Sequence, residues 1–117
     1  SSFSLVETTD ATVTTLAQVA LADETGYYVV AQVIARRTGG SAGTAGDVAA
    51  YRREVLVRRT GAGTATLIGS VQTPTTIESV SAYDCTLDVN GNDVRVRVTG
   101  VLNTSISWSA FVTLQSI

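Results

Sequence analysis

The sequence predicts an all-β domain, an antiparallel β-sandwich of jelly-roll-like type with about eight strands, and three observations carry that expectation. Valine and threonine supply 35 of the 117 residues, 17 and 18 respectively, and both are stiff at χ1 in a way that suits a pleated strand. Apolar and polar residues alternate with period two over long stretches. Ile106, Trp108, Ala110, Val112 and Leu114 are separated by polar residues except at Phe111, as in a half-buried strand. Turn-forming clusters recur between such stretches and no βαβ alternation appears, which is the pattern of a sandwich.

Taken in chain order, Thr12 to Leu21 reads as a strand with Val13, Thr15, Ala17, Val19 and Leu21 on one face. A helix over Ala11 to Ala22 is the competing reading, which its three threonines disfavour. Tyr27 to Arg37 is a long strand with Tyr27, Val29, Ala31, Val33 and Ala35 aligned. Thr38 to Asp47 contains four glycines and reads as the longest loop and the most mobile segment. At Gly61-Ala62-Gly63, a three-residue loop with Gly63 left-handed sets Val57 opposite Leu67 and Leu56 opposite Ile68. Pro74 marks a break between strands. A two-residue turn at Asn90-Gly91 pairs Leu87 with Val94, Cys85 with Val96 and Tyr83 with Val98; a turn shifted to Gly91-Asn92 keeps the same faces aligned. Val94, Val96 and Val98 then face inward while Arg95 and Arg97 face out.

A chain of 12.2 kDa fits one domain over residues 1–117, and 44% hydrophobic content is enough for a core. The first residue is Ser1 instead of Met, which points to a trimmed start or a longer parent chain. Ten acidic residues against eight arginines give a net charge of −2, so no general positive field gathers nucleic acid. No run approaches the roughly twenty apolar residues of a membrane span, so no membrane insertion is expected. The chain has no His, no Lys, no Met and one Cys. Imidazole and Schiff-base chemistry are thereby excluded, as are disulfides within the chain, and Cys85 reads as a buried inert thiol.

No catalytic residue, metal site or cofactor is assigned. A paired-carboxylate glycosidase remains arithmetically open at Asp84 and Asp88 or Asp23 and Glu24. The run Asp88 to Asp93 matches the first three ligand positions of a calcium loop, but Asp93 stands where Gly is needed and Thr99 where the bidentate Glu belongs. It reads as a hairpin turn.

Six of the eight arginines form adjacent pairs, Arg36-Arg37, Arg52-Arg53 and Arg58-Arg59. Neighbours on a strand point to opposite faces, so one of each pair shares a face with the valines. Arg53 is expected to be a partly buried guanidinium held by a carboxylate, with Glu78, Asp84 or Glu7 as partner. Arg36, Arg52, Arg58, Arg95 and Arg97, with the surface aromatic Tyr28, are candidates for recognising an anionic sugar or a lipopolysaccharide phosphate. Structural ion pairing is the favoured reading for these arginines, since Glu54 shares the face of Arg52. Val30, Ile34, Leu56 and Ile68 lie opposite the main apolar stripe and are subunit-interface candidates, because together they would expose a large apolar patch.

The run Val33-Ile34-Ala35-Arg36-Arg37, then Ala49-Ala50-Tyr51-Arg52-Arg53 and Val57-Arg58-Arg59-Thr60-Gly61-Ala62-Gly63 resembles domains of tailed-bacteriophage structural proteins, among them tail-fibre and tail-tip proteins. The resemblance continues through Asn90 to Gly100 and Ser107-Trp108-Ser109-Ala110 and spans most of residues 26–113. It implies a small β-sandwich at the surface of the virion that associates with other virion proteins and with itself, often as a homotrimer. Assembly and attachment to a host-surface glycan are the implied roles, and no catalytic residues come with it. A capsid decoration or head-fibre protein is the alternative, and a glycan-cleaving domain the third reading.

Overall fold

The computed structural model describes residues 2–61 and 63–117. Among them are eight strands and no helix: β1 (Ser2–Thr8), β2 (Thr14–Ala20), β3 (Thr25–Gly40), β4 (Val48–Arg59), β5 (Ala65–Glu78), β6 (Asp84–Asn90), β7 (Asp93–Thr99) and β8 (Thr104–Ser116). They form two antiparallel sheets, β1-β8-β3-β4-β5 and β2-β7-β6, packed face to face. First strand pairs with last and second with seventh, the nested pairing of a jelly roll. The fold departs from that plan after β3, because β4 and β5 stay in the first sheet as successive hairpins.

Alternation builds the core. Val29, Ala31, Val33 and Ala35 of β3 meet Val94, Val96 and Val98 of β7 and Ile106, Trp108, Ala110 and Val112 of β8, all buried. Burying each of these valines and Ile106 stabilises the fold by roughly 1.5–3 kcal/mol. Trp108, fully buried, packs its ring 5.8 Å from that of Tyr83 and donates its Nε1 hydrogen to Thr8 Oγ1 at 2.9 Å. Arg95 and Arg97 lie on the solvent side of β7, as the alternation requires.

Three local expectations need correction. The β6–β7 turn is centred on Gly91-Asn92, with Gly91 at φ 58, so Leu87 faces Val96 and Cys85 faces Val98. The Asn90-Gly91 alternative would set Asp88 against Asp93. The observed register instead sets Asp88 opposite Arg95, where a two-pronged ion pair forms at 2.8 Å on each prong; opposite charges across a ladder stabilise and like charges destabilise. In β2 a bulge at Leu16 shifts the phase, so Leu16 and Ala17 are both buried while Thr15 faces Arg97 and Val13 is exposed. Pro74 does not end a strand but lies within β5. That strand is a sheet edge, where the missing N–H is tolerated, and its register breaks between Arg52 and Glu54 and again between Glu54 and Leu56 absorb the misfit.

The β4–β5 connection keeps the expected register: Val57 pairs with Leu67 and Leu56 with Ile68, and Gly61 is left-handed, at φ 60. The conformation assigned to Gly63 depends on the peptide of Ala62, which lies outside the described residues. The glycine-rich connection after β3 is tied down from its base. Arg37 donates from Nε to Ala42 O (3.0 Å) and from Nη2 to Gly40 O (2.9 Å), and Ala42 N donates to Asn103 O at 3.0 Å.

Arg53 is the main polar tie between the sheets. It is 4% exposed, but among the described residues no carboxylate holds it. Its Nε donates to Cys85 O of β6 (2.8 Å), its Nη1 donates to Thr75 O of β5 (2.7 Å) and to Arg52 O (3.1 Å), and it lies 4.9 Å from the centroid of the Tyr51 ring. The three proposed partners are engaged elsewhere. Glu78 accepts from Tyr51, Asp84 from the Cys85 N–H, and Glu7 from Thr38 on the far side of the sheet. Carbonyls at strand edges replace a counter-ion here. Inward-facing Arg59 is held the same way, with Nη1 on Leu21 O at 2.7 Å.

Replacing Arg53 by Met should lower the unfolding free energy by at least about 3 kcal/mol, because three carbonyls lose a charged donor at roughly 1–3 kcal/mol each. Chemical denaturation measures it. A loss below about 0.5 kcal/mol, the value of an ordinary surface change, would contradict the tie.

Candidate functional site

Each sheet has one face in the core and one outside, and the two outer faces differ in chemistry. On β2-β7-β6 the outer face is polar. Arg95 pairs with Asp88, Arg97 lies 3.8 Å from the same carboxylate and donates to Thr15 Oγ1 at 2.7 Å, and Gln18 donates to Asp93 at 2.6 Å. Such a face is satisfied by its own partners and by water. Arg95 is held above its ordinary basicity chiefly by the hydrogen bonds to Asp88.

The outer face of the five-stranded sheet is apolar to an unusual degree. Register aligns Leu5, Ser109, Ile34, Ala50 and Ile77 in one row across all five strands. The next row runs Phe3, Phe111, Gln32, Arg52 and Thr75, and a further row holds Tyr28, Leu56 and Ile68. Exposure is high along these rows: Leu5 70%, Ile77 67%, Phe3 65% and Ile34 57%. Leu56, Phe111 and Ile68 are exposed as well, and Val30 is half-buried. Exposed apolar side chains thus gather on this face and not on the outer face of β2-β7-β6.

The four interface candidates from the sequence therefore share one face. Those missed are Phe3, Leu5, Ile77 and Phe111. Phe111 is the lone apolar residue among the polar odd positions of its strand, a signal that it belonged to this second apolar surface. Between the rows of Ile34 and Phe111 lies a shallow trough where Ala50 and Ser109 leave room beside Phe3, Gln32 and Arg52.

One charged chain crosses this face. Tyr28 donates its hydroxyl to Glu54 Oε1 at 2.5 Å, and Arg52 Nε donates to Glu54 Oε2 at 2.8 Å. The Arg52 hydrogen bond first, then that of Tyr28, holds the Glu54 carboxyl below the usual carboxylate range. The same bond raises the Tyr28 phenol above its ordinary value, so it stays a donor. Arg36 and Arg58 are exposed on this face too. The six recognition candidates are thus divided: Tyr28, Arg36, Arg52 and Arg58 on one side of the sandwich, Arg95 and Arg97 on the other. They do not form one site.

Cys85 is 2% exposed, and burial pushes its thiol up to about 12. Among the described residues no three potential ligands gather where they could hold a metal ion. In the native protein at pH 8, Cys85 should resist a thiol-directed alkylating agent and react in denaturant; rapid native labelling would contradict its burial. Glu54 should titrate below a free glutamate in carbon-detected NMR and move up in Arg52→Ala. Its contribution to stability is full above the unfolded value, near 4.3, and fades as pH falls through the lowered folded value. A Glu54 titration at or above that unfolded value would contradict the cluster.

No known protein family and no curated protein matches the sequence. Solved structures do match the fold. The chain superposes on the tailspike protein of Acinetobacter baumannii phage AM24 with TM-score 0.56 and 10% identity, covering 97% of this chain and 26% of that one. On the tailspike protein of Acinetobacter phage vB_ApiP_P1 the TM-score is 0.57 and the identity 16%, over 98% of this chain and 22% of that one. The chain thus spans about a quarter of the length of the tailspikes that it matches. The β-sandwich resemblance read from the sequence is met at the level of the fold: this chain has the architecture of a segment of phage tailspike proteins.

Proposed function

We propose that this chain is a non-enzymatic structural domain of a bacteriophage tail fibre, tail tip or tailspike, carried at the virion surface, which self-associates through the outer face of the five-stranded sheet. The observation that carries the reading is the contrast between the two outer faces. One satisfies its own charges, and the other leaves Phe3, Leu5, Ile34 and Ile77 more than half exposed. A second copy supplies a matching apolar surface, and a homotrimer is the expected stoichiometry. The fold shared with tailspike segments favours a tail position over the alternative of a capsid decoration or head-fibre protein.

A non-enzymatic role is supported by the state of the carboxylates. Asp88 is taken by Arg95, Glu54 by Arg52 and Tyr28, and Glu78 by Tyr51, and of the two carboxylate pairs open from the sequence, Asp84–Asp88 has its Asp88 committed to Arg95. Host-glycan attachment is the second reading. Tyr28, Arg36, Arg52 and Arg58 share one face with an aromatic ring and polar tips, the surface on which a sugar could stack.

Sedimentation equilibrium should find an oligomer, expected to be a trimer, at micromolar concentration. Ile34→Asp and Leu56→Asp should each weaken it at least tenfold with an unchanged far-ultraviolet spectrum; an association indifferent to both would contradict the reading. Incubation with purified surface polysaccharide should release no oligosaccharide. Shortened products formed by the chain alone would show that it is an enzyme.

A further inference from the structure

A sheet edge carries unpaired N–H and C=O groups, which pair with any strand that reaches them unless something prevents it. Three of the four edges here are obstructed. β5 contains Pro74, Gly69 at φ 74 and two register breaks. On β6 the Cys85 N–H is taken by Asp84 Oδ1 at 2.9 Å and the Cys85 carbonyl by Arg53 at 2.8 Å. β2 is kinked by its bulge at Leu16.

β1 has none of these devices. It pairs with β8 through seven consecutive residues without a break, contains no Pro or Gly, and carries one charge, Glu7. Among the described residues its main chain makes no hydrogen bond on the side away from β8. Two of the most exposed apolar residues of the molecule, Phe3 and Leu5, stand on it.

We propose that β1 is a strand-docking edge, and that its occupant is β1 of a second copy running antiparallel about a twofold at Ser4. The sequence of the strand favours this register over the one centred on Leu5. With Ser4 opposite the partner's Ser4, Phe3 faces the partner's Leu5 and Ser2 faces the partner's Val6. The two Glu7 carboxylates then lie about 20 Å apart, six strand positions from each other. Centring on Leu5 would set Phe3 against the partner's Glu7. Phe111, opposite Phe3 in the β1–β8 ladder, extends the cluster, so Phe3, Leu5 and Phe111 of both copies cover one another. The two five-stranded sheets become one continuous sheet. This contact shares with the proposed function its partner, a second copy, but uses the edge instead of the face. In an assembly built on threefold contacts through the face, it joins one trimer to the next.

The test is Ser4→Cys in the full chain, with Cys85 buried and silent. Under mild oxidation at micromolar concentration it should form a disulfide-linked dimer at least tenfold faster than Ser70→Cys on the β5 edge. Equal rates would overturn the proposal. Independently, Ser4→Lys places an inward-pointing charge on the edge and should slow cross-linking from Ser2→Cys/Val6→Cys by at least tenfold with the circular-dichroism spectrum unchanged; linking at an unchanged rate would overturn it too. If Ile34→Asp dissociates the oligomer while Ser4→Cys fails to link, the edge contact falls and the face reading stands. If Ser4→Cys links while Ile34→Asp leaves association unchanged, the face reading falls and the edge contact stands.

Discussion

A β-strand sends successive side chains to opposite faces, and the five-stranded sheet of this protein carries apolar residues on both. Everything else in the molecule follows from how those two faces are treated. The inner face is covered by β2-β7-β6 and forms the core around Trp108, Ile106 and Val98. The covering sheet has three strands against five, and none of the described residues covers the other side. The polar outer face of the small sheet and the apolar outer face of the large one give the sandwich a wet side and a dry side.

Charge is arranged to suit that asymmetry. Arginines that point inward end on carbonyl oxygens: Arg53 on Cys85 and Thr75, Arg59 on Leu21, Arg37 on Gly40 and Ala42. A guanidinium reaches two or three such acceptors at once in a way an ammonium does not, which gives a physical use for a cation set made of arginine alone. Outward arginines on the polar sheet end on Asp88. On the large sheet, Glu54 gathers Arg52 and Tyr28 into one compact group among the exposed apolar side chains.

Much of this was legible from the residues. Val94, Val96 and Val98 against Arg95 and Arg97 gave the faces of β7, and Ile106 to Val112 gave those of β8. Leu56 and Ile68 disclosed a second apolar face, because alternation alone implied it. What alternation does not contain is a count of residues at irregular points. The bulge at Leu16 moved Val13 out of the core, and the breaks opposite Glu54 carried β5 past Pro74. The Asn-Gly pair was a weaker determinant of the β6–β7 turn than the meeting of Asp88 with Arg95. The partner of Arg53 was missed for a related reason: main-chain carbonyls have no letter in a sequence, so only side-chain partners were in view.

The central claim is that the dry face is covered by another copy. It is tested most directly by single cysteines on the two outer faces, Gln32→Cys on the large sheet and Thr86→Cys on the small one, alkylated over a range of protein concentration. Protection that grows with concentration at position 32 and stays absent at position 86 is the predicted result. Equal rates at both positions across the whole range would contradict it.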